Sequence, residues 1–275
     1  MLPIVFIGLK YVALILLSLL FVWFIIFLTV NDLTVPTKKI ESSKKLLVLF
    51  PHADDEILSA GGLVSQLAKN GWGVTWVIFT KGEKGTPNAS IDMALKDIRV
   101  KEAEAAKAIY GVQKFIQKDF PDNALETVRP AVQAEIQKLI LEIQPDVVIT
   151  YDESGLYGHA DHIVVSEEAK AAMKQSSSSA ALWYVTQPAK LLARMSLPEH
   201  MAQDPSFIAK RTAPNAKIWV GMYGVRKKIQ ALYAYKSQAE SFKNSFPIRI
   251  IPLWVYVTFA PYEYFHINGP DIMQK

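Results

Sequence analysis

Between Tyr11 and Val30 the chain carries no charged residue, and the run YVALILLSLLFVWFIIFLTV offers no polar face. Wound as a helix it is about 30 Å long, which matches the hydrocarbon thickness of a bilayer. A helix that is apolar all round lies in a protein core or in a membrane. The run also exceeds the apolar stretch of a secretory signal, and no small-residue cleavage site follows it. Residues 1–30 therefore read as one N-terminal transmembrane helix that anchors the protein. Lys38, Lys39, Lys44 and Lys45 follow the run, against Lys10 and the amino terminus before it. The positive-inside bias then puts the remainder of the chain on the cytoplasmic side.

Residues 31–42 read as a linker and 43–275 as a single domain, a size one α/β domain commonly has. Within that domain short apolar, β-branched runs alternate with helix-like stretches. The runs are KLLVLF (45–50), GVTWVIFT (73–80), VQKFIQ (112–117), DVVITY (146–151) and LWYVT (182–186). Helices are expected over 57–70, 91–110, 124–143 and 161–174, with stops at Asn70-Gly71 and Gln144-Pro145. This alternation predicts an α/β fold: a Rossmann-like, mostly parallel sheet with helices on both faces. QSSSSAA (175–181) reads as a surface loop, and 188–215 shows no clear period. The late run IRIIPLWVYVTFAPYEYFHI is broken by Pro252 and Pro261, so it reads as a core strand plus a membrane-facing or pocket-lining segment.

Composition narrows the chemistry. A net charge of +4 without any basic block interleaved with aromatics gives no nucleic-acid surface. The absence of cysteine excludes disulfides and thiolate metal sites. What the chain does carry is two polar clusters, each directly after an apolar strand, where such sheets place their ligands. The first is PHADDE, with His52, Asp54, Asp55 and Glu56. The second is DESGLYGHADH, with Asp152, Tyr157, His159, Asp161 and His162; three of the five histidines fall in the two clusters.

Histidine with carboxylate suits zinc or a similar divalent metal. His52 and Asp55 are three apart, so a tight turn can aim both inward, and one of His159 and His162 completes a three-ligand set. A carboxylate, Asp54, and an imidazole then remain for base and acid. Glu56 reads as support for the site, with capping of the next helix as its other role. His200 and His266 stand alone and read as structural or solvated. The His-x-Asp pairs at 52–54 and 159–161 also fit a non-haem iron oxygenase, and a binding module without catalysis is a third reading.

PHADDE and YGHADH resemble the two signature motifs of the PIG-L/LmbE-like family of zinc-dependent N-acetylglucosaminyl de-N-acetylases, with alanine for the usual proline at Ala53 and Ala160. The stretches GLVSQLAKNGWGVTWVIFTKGEKG, RVKEAEAAKAIYGV, DFPDNAL and KKIQALYAYKSQ are similar to other parts of that family's domain. The resemblance implies a Zn2+ site of His52, Asp55 and His162. It implies Asp54 as the base that deprotonates the attacking water, and His159 as an imidazolium that protonates the departing amine. Asp161 would orient His159, Tyr157 would polarise the carbonyl, and Arg99 and Asp122 would hold sugar hydroxyls. The implied partner is an N-acetylated sugar conjugate. The anchor makes a lipid-linked one, such as N-acetylglucosaminyl-phosphatidylinositol, attractive beside a soluble glycoside.

Overall fold

The computed structural model describes residues 2–40, 44–86, 88, 90–193, 210–245, 252–269 and 273–274. In chain order its elements are α1 (Leu2–Val30), β1 (Lys39–Ile40), β2 (Lys45–Phe50), α2 (Gly61–Lys69), β3 (Gly73–Thr80), α3 (Met93–Tyr110) and β4 (Lys114–Phe120). Then come α4 (Arg129–Ile143), β5 (Val147–Tyr151), α5 (Gly155–Gly158), α6 (Ala160–Gln175), β6 (Ala181–Val185) and α7 (Ala189–Leu192). The chain closes with β7 (Ala216–Trp219), α8 (Gly221–Ala234), α9 (Ala239–Ser245), α10 (Leu253–Phe259), β8 (Tyr262–Asn268) and β9 (Met273–Gln274).

Seven strands form one sheet in the order β4-β3-β2-β5-β6-β8-β7. The first five are parallel to one another, and β8 runs antiparallel to both β6 and β7. In β2, five of six residues are buried in the pattern eBBBBB, because helices cover both faces of a strand at the centre of the sheet. Two apolar layers result. Leu46, Val48, Phe50, Trp76 and Trp183 face one, and Leu47, Leu49, Phe79, Val148 and Tyr184 face the other. The mostly parallel α/β architecture read from the sequence is the observed one.

Three details differ from the sequence reading. The helix expected over 57–70 begins only at Gly61. Before it, the amides of Ser59, Ala60 and Gly61 all converge on the Glu56 carbonyl, winding the segment into turns. The strand expected over 112–117 occupies 114–120, since Gly111 closes α3 in a left-handed conformation. Residues 31–40 are no free tether. Asn31 and Val35 are buried, β1 pairs with β9, and the Lys217 amide donates to the Pro36 carbonyl.

α1 extends from this body, which it meets near its C-terminal end. Its stretch Lys10–Val30 has a mean hydropathy of 2.9, long and apolar enough to cross a membrane, and none of that window is buried.

Candidate metal centre and active site

β2 and β5 are neighbours, so the loops leaving their carboxyl ends meet. In the first loop Asp54 takes φ 101, a region that non-glycine residues avoid. Two side chains of the same loop hold it there: Glu56 Oε2 accepts the Asp54 amide at 3.1 Å, and Asp55 Oδ2 accepts the His52 amide at 2.9 Å. Glu56 thus supports the loop. The helix that follows is capped instead by Glu263 of β8, whose carboxylate accepts the amides of Gly62 and Leu63 at 2.8 and 2.9 Å.

The second loop is folded by Asp152. Its Oδ1 accepts Ser154 Oγ at 2.6 Å and the amides of Ser154 and Leu156. Gly155, at φ +60, lies so close to α6 that a Cβ would sit 2.9 Å from Ile163 and 3.0 Å from His162. A side chain there would push His162 out of place.

Asp55 occupies the centre. One of its oxygens lies 3.5 Å from His52 Nδ1, and the other lies 3.2 Å from His162 Nε2. His162 Nδ1 is 3.1 Å from the Gly155 carbonyl, which only an N–H can satisfy. The neutral ring therefore presents a lone pair at Nε2, which is buried and without a hydrogen-bond partner. A lone pair and a carboxylate oxygen at that distance are held by a proton or by a metal ion between them, and as donors the residues fit a divalent metal. His52 is arranged in the same sense: its Nε2 points at Asp122 and Asp161, 3.2 Å from each, leaving Nδ1 toward Asp55. A carboxylate behind the far nitrogen is the usual support of a metal-binding histidine. Two further groupings of donors lie close enough for an ion, His52–His159–His162 and His52–Asp122–Asp161. The orphaned Nε2 can be answered by the carboxylate-centred set of His52, Asp55 and His162 or by the grouping His52–His159–His162.

Electrostatics divide the adjacent acids. Burial drives the carboxyl of Asp54 up to about 7, although the Arg99 guanidinium opposes the shift. Burial also disfavours a charged Asp55, but His162 and His52 outweigh it and hold that carboxyl well below its usual range. His52 is held well above the ordinary histidine value because Asp122, Asp161 and Asp55 overcome the cost of burial. His159 is moved the other way, by burial first and then by the neighbouring imidazoles. Its ring stacks on His162 at 4.6 Å, and its Nδ1 accepts the Asp161 amide at 3.2 Å as the N-cap of α6. That contact leaves the proton of the neutral ring on Nε2. The free site thus favours a neutral His159, where the family resemblance implies an imidazolium.

Three other roles differ from those the resemblance implies. Asp161 holds the His159 ring through its backbone amide only; its carboxylate braces His52 and accepts the amides of Asn123 and Leu125 at 2.7 and 3.0 Å. Asp122 also serves His52, while its second oxygen accepts the Lys84 amide at 2.7 Å. Arg99 is only 3% exposed; it donates to the Ala53 carbonyl at 2.6 Å and lies 3.5 Å from Asp54 Oδ1. Tyr157 does reach the site, its ring 5.2 Å from that of His162. His266 bonds the Ala213 carbonyl through Nδ1 on β8, and His200 lies outside the described residues.

Sequence reasoning missed Tyr151. Its ring stacks on His162 at 4.1 Å with only 5° between planes, and its hydroxyl donates to Asp55 Oδ1 at 3.1 Å. As the last residue of a buried strand it reads like any core aromatic, and only its place directly before the second cluster could have marked it.

Residues 47–173 match the PIG-L family model, described as GlcNAc-PI de-N-acetylase. The match takes in both histidine clusters together with Arg99 and Asp122. Over this stretch, a little under half of its length, the chain is similar to the PIG-L family. Among its relatives is a 1D-myo-inositol 2-acetamido-2-deoxy-alpha-D-glucopyranoside deacetylase of Catenulispora acidiphila. That protein is 30% identical over 171 residues, 53% of this chain and 53% of the relative. The diacetylchitobiose deacetylase of Thermococcus kodakarensis is 33% identical over 123 residues, 43% of this chain and 45% of the relative. The chain spans about half the length of these two curated relatives. In fold it is similar to the 4-carboxy-2-hydroxymuconate hydratase of Pseudomonas putida, with a TM-score of 0.60 and 17% identity over 84% of this chain and 99% of that one. So distant a likeness speaks for the fold alone and not for the chemistry.

Proposed function

We propose that the protein is a zinc-dependent hydrolase that removes the acetyl group from an N-acetylglucosamine-type conjugate, held at a membrane by α1 with its domain on the cytoplasmic side. The observation that carries the chemistry is the pair of imidazole nitrogens, His52 Nδ1 and His162 Nε2, turned on the two oxygens of one carboxylate, Asp55. The deacetylases related to this chain support the substrate class. Two histidines and one carboxylate are a set that zinc hydrolases share with non-haem iron oxygenases. Here, however, the His-x-Asp pairs do not supply it, because Asp54 faces Arg99 and Asp161 braces His52 from behind.

When bound, the metal supplies a Lewis acid that acidifies water and draws charge from the acyl oxygen. His52, Asp55 and His162 hold it. Asp54, with a carboxyl near neutrality, accepts the proton that water loses as its oxygen bonds to the acyl carbon. Arg99 positions that carboxylate and stabilises its charged form. The C–N bond then breaks, and the amine needs a proton that its nitrogen cannot draw from bulk solvent in a buried site. His159 would deliver it from Nε2 as an imidazolium, giving up the Nδ1 contact with the Asp161 amide while charged, and the proton that Asp54 took from water restores the balance. Tyr157 lies beside the imidazoles to donate to the acyl oxygen.

The test is to incubate the full chain, loaded in turn with zinc and with ferrous iron, with a panel of soluble and lipid-linked N-acetylglucosaminides. The expected result is equimolar acetate and free amine with the zinc form. A fully zinc-loaded protein that releases neither from any member of the panel overturns the reading. Protease added to intact cells should spare the domain, and digestion without permeabilisation would reverse the proposed orientation.

A further inference from the structure

We infer that α10 and the adjoining β7–β8 corner form a second membrane contact, lying in the interfacial layer of the bilayer beside α1. The inference rests on α1 being a membrane helix, as proposed above.

Three observations lead to it. First, α10 packs along α1 well inside the apolar span. The rings of Trp23 and Phe259 are 6.0 Å apart, and those of Phe27 and Tyr262 are 6.4 Å apart. Trp23 precedes the end of α1 at Val30 by seven residues, about 10 Å at 1.5 Å per residue, and the Phe259 ring reaches from its backbone at Asn31 down toward that level. A bilayer that receives α1 to Val30 therefore reaches α10. Interfacial helices sit at a comparable depth, about 5–10 Å into the boundary between headgroups and chains.

Second, the junction is built, not loose. Asn31 Nδ2 donates to the carbonyls of Phe27 and Phe259 at 2.8 and 2.6 Å, joining the end of α1 to the end of α10. The Asp32 amide donates to the Tyr264 hydroxyl at 2.6 Å, and Lys217 Nζ to the Asp32 carbonyl at 3.0 Å. These bonds set the attitude of the domain relative to the anchor.

Third, the surface that results is wrong for water and right for an interface. From Pro252 to Tyr262 there is no charged residue. Val257 is buried against the core, yet Trp254 is 45% and Trp219 47% exposed, and Trp219 stacks edge-on with Tyr262 at 5.1 Å. Trp and Tyr beside an apolar helix end make the aromatic belt that sits at headgroup level. From Pro252 to Tyr262 a bilayer would dehydrate no charge, and the neighbouring Lys217 is already buried between the Tyr262 ring and the Asp32 carbonyl.

The contact has a consequence for the site. β7 ends and β8 begins, at the pair Trp219–Tyr262, on the sheet edge where β2, β5 and β6 also end. β5 is two strands from β8, about 10 Å at the usual spacing. The edge that carries the catalytic loops is thus the edge held toward the lipid.

Because the chain has no cysteine, single cysteines placed in the full chain report depth directly. Leu17→Cys in α1, Trp254→Cys in α10 and Asn70→Cys at the opposite sheet edge would each carry a nitroxide label in phosphatidylcholine vesicles. Collision with oxygen and with an aqueous nickel chelate then measures depth. The expected result is lipid-like accessibility at 17, interfacial accessibility at 254 and full aqueous exposure at 70. Lipid at 17 but water at 254 overturns the inference and leaves the anchor standing. Water at 17 overturns the anchor, and the inference with it. Shielding at 254 that disappears when the protein is diluted into excess lipid identifies a second copy of the chain as the occupant and also overturns it.

Discussion

The two loops that meet at the candidate metal centre work by different physics. The loop after β2 supplies charge. Within it, adjacent carboxyls are driven apart, Asp54 up to about 7 by burial and Asp55 well below its usual range by two imidazoles that outweigh burial. This division is held by a backbone at φ 101 that Glu56 and Asp55 clamp from their own side chains. The loop after β5 supplies lone pairs. No acid of that loop bonds its two imidazoles; the Gly155 carbonyl orients His162, and the Asp161 amide orients His159. One loop therefore sets which groups are ionised, and the other sets which nitrogen carries the hydrogen.

Breaking the first loop at its shared ligand should have the largest effect. Asp55→Ala leaves His52 and His162 facing each other with no carboxylate, and it should lose bound metal and activity together, as metal analysis and amine release would show. Retained stoichiometric metal would refute the central place given to Asp55. Asp54→Asn should keep the metal and lower kcat by about 10²–10⁴-fold, the usual contribution of a general base. If kcat instead stays within a few-fold, proton removal belongs to another group.

The second loop is probed through its support. Tyr151→Phe removes the hydroxyl on Asp55 without emptying the stack on His162, and metal affinity should fall by roughly 10–100-fold. Competition with a chelator measures this, and His266→Ala should leave the affinity unchanged.

The smallest effect on turnover is expected at Glu56, whose carboxyl is pushed up to about 8 by burial, with the Asp54 charge adding to the shift. A carboxyl held higher in the folded than in the unfolded chain contributes stability at low pH. That contribution is lost as pH rises from about 4.5 toward 8, at up to ~1.4 kcal/mol per pH unit. In metal-free protein, Glu56→Gln should therefore match the wild type in Tm near pH 4.5 and exceed it increasingly toward pH 8. Parallel Tm curves would show that Glu56 titrates normally.

Much of this was legible without coordinates. The apolar runs 45–50 and 146–151 mark β2 and β5 because a strand covered on both faces must be apolar throughout. A polar cluster directly after such a run has nowhere to go but the sheet edge. His52, Asp54, Asp55, His159 and His162 do converge there. Less legible were the partners. Asp161 reads as the neighbour of His159, two residues away, yet its carboxylate reaches His52, 109 residues distant.

What the sequence by itself determined is local: strand and helix alternation, an uncharged run of bilayer length, and two short motifs whose spacing lets a turn aim their side chains together. These depend on periodicities of one or two turns, which the chain carries in its order of residues. What only the tertiary structure decided is which buried polar group satisfies which. Tyr151 and His162 on Asp55, Asp122 and Asp161 on His52, and Glu263 on the start of α2 are contacts between elements. They depend on strand order, on register and on the exclusion of water that makes an unpaired polar atom costly. The same holds for residues 31–40, polar enough to read as a tether, which became part of the domain because β9, Lys217 and Tyr264 were there to take their hydrogen bonds.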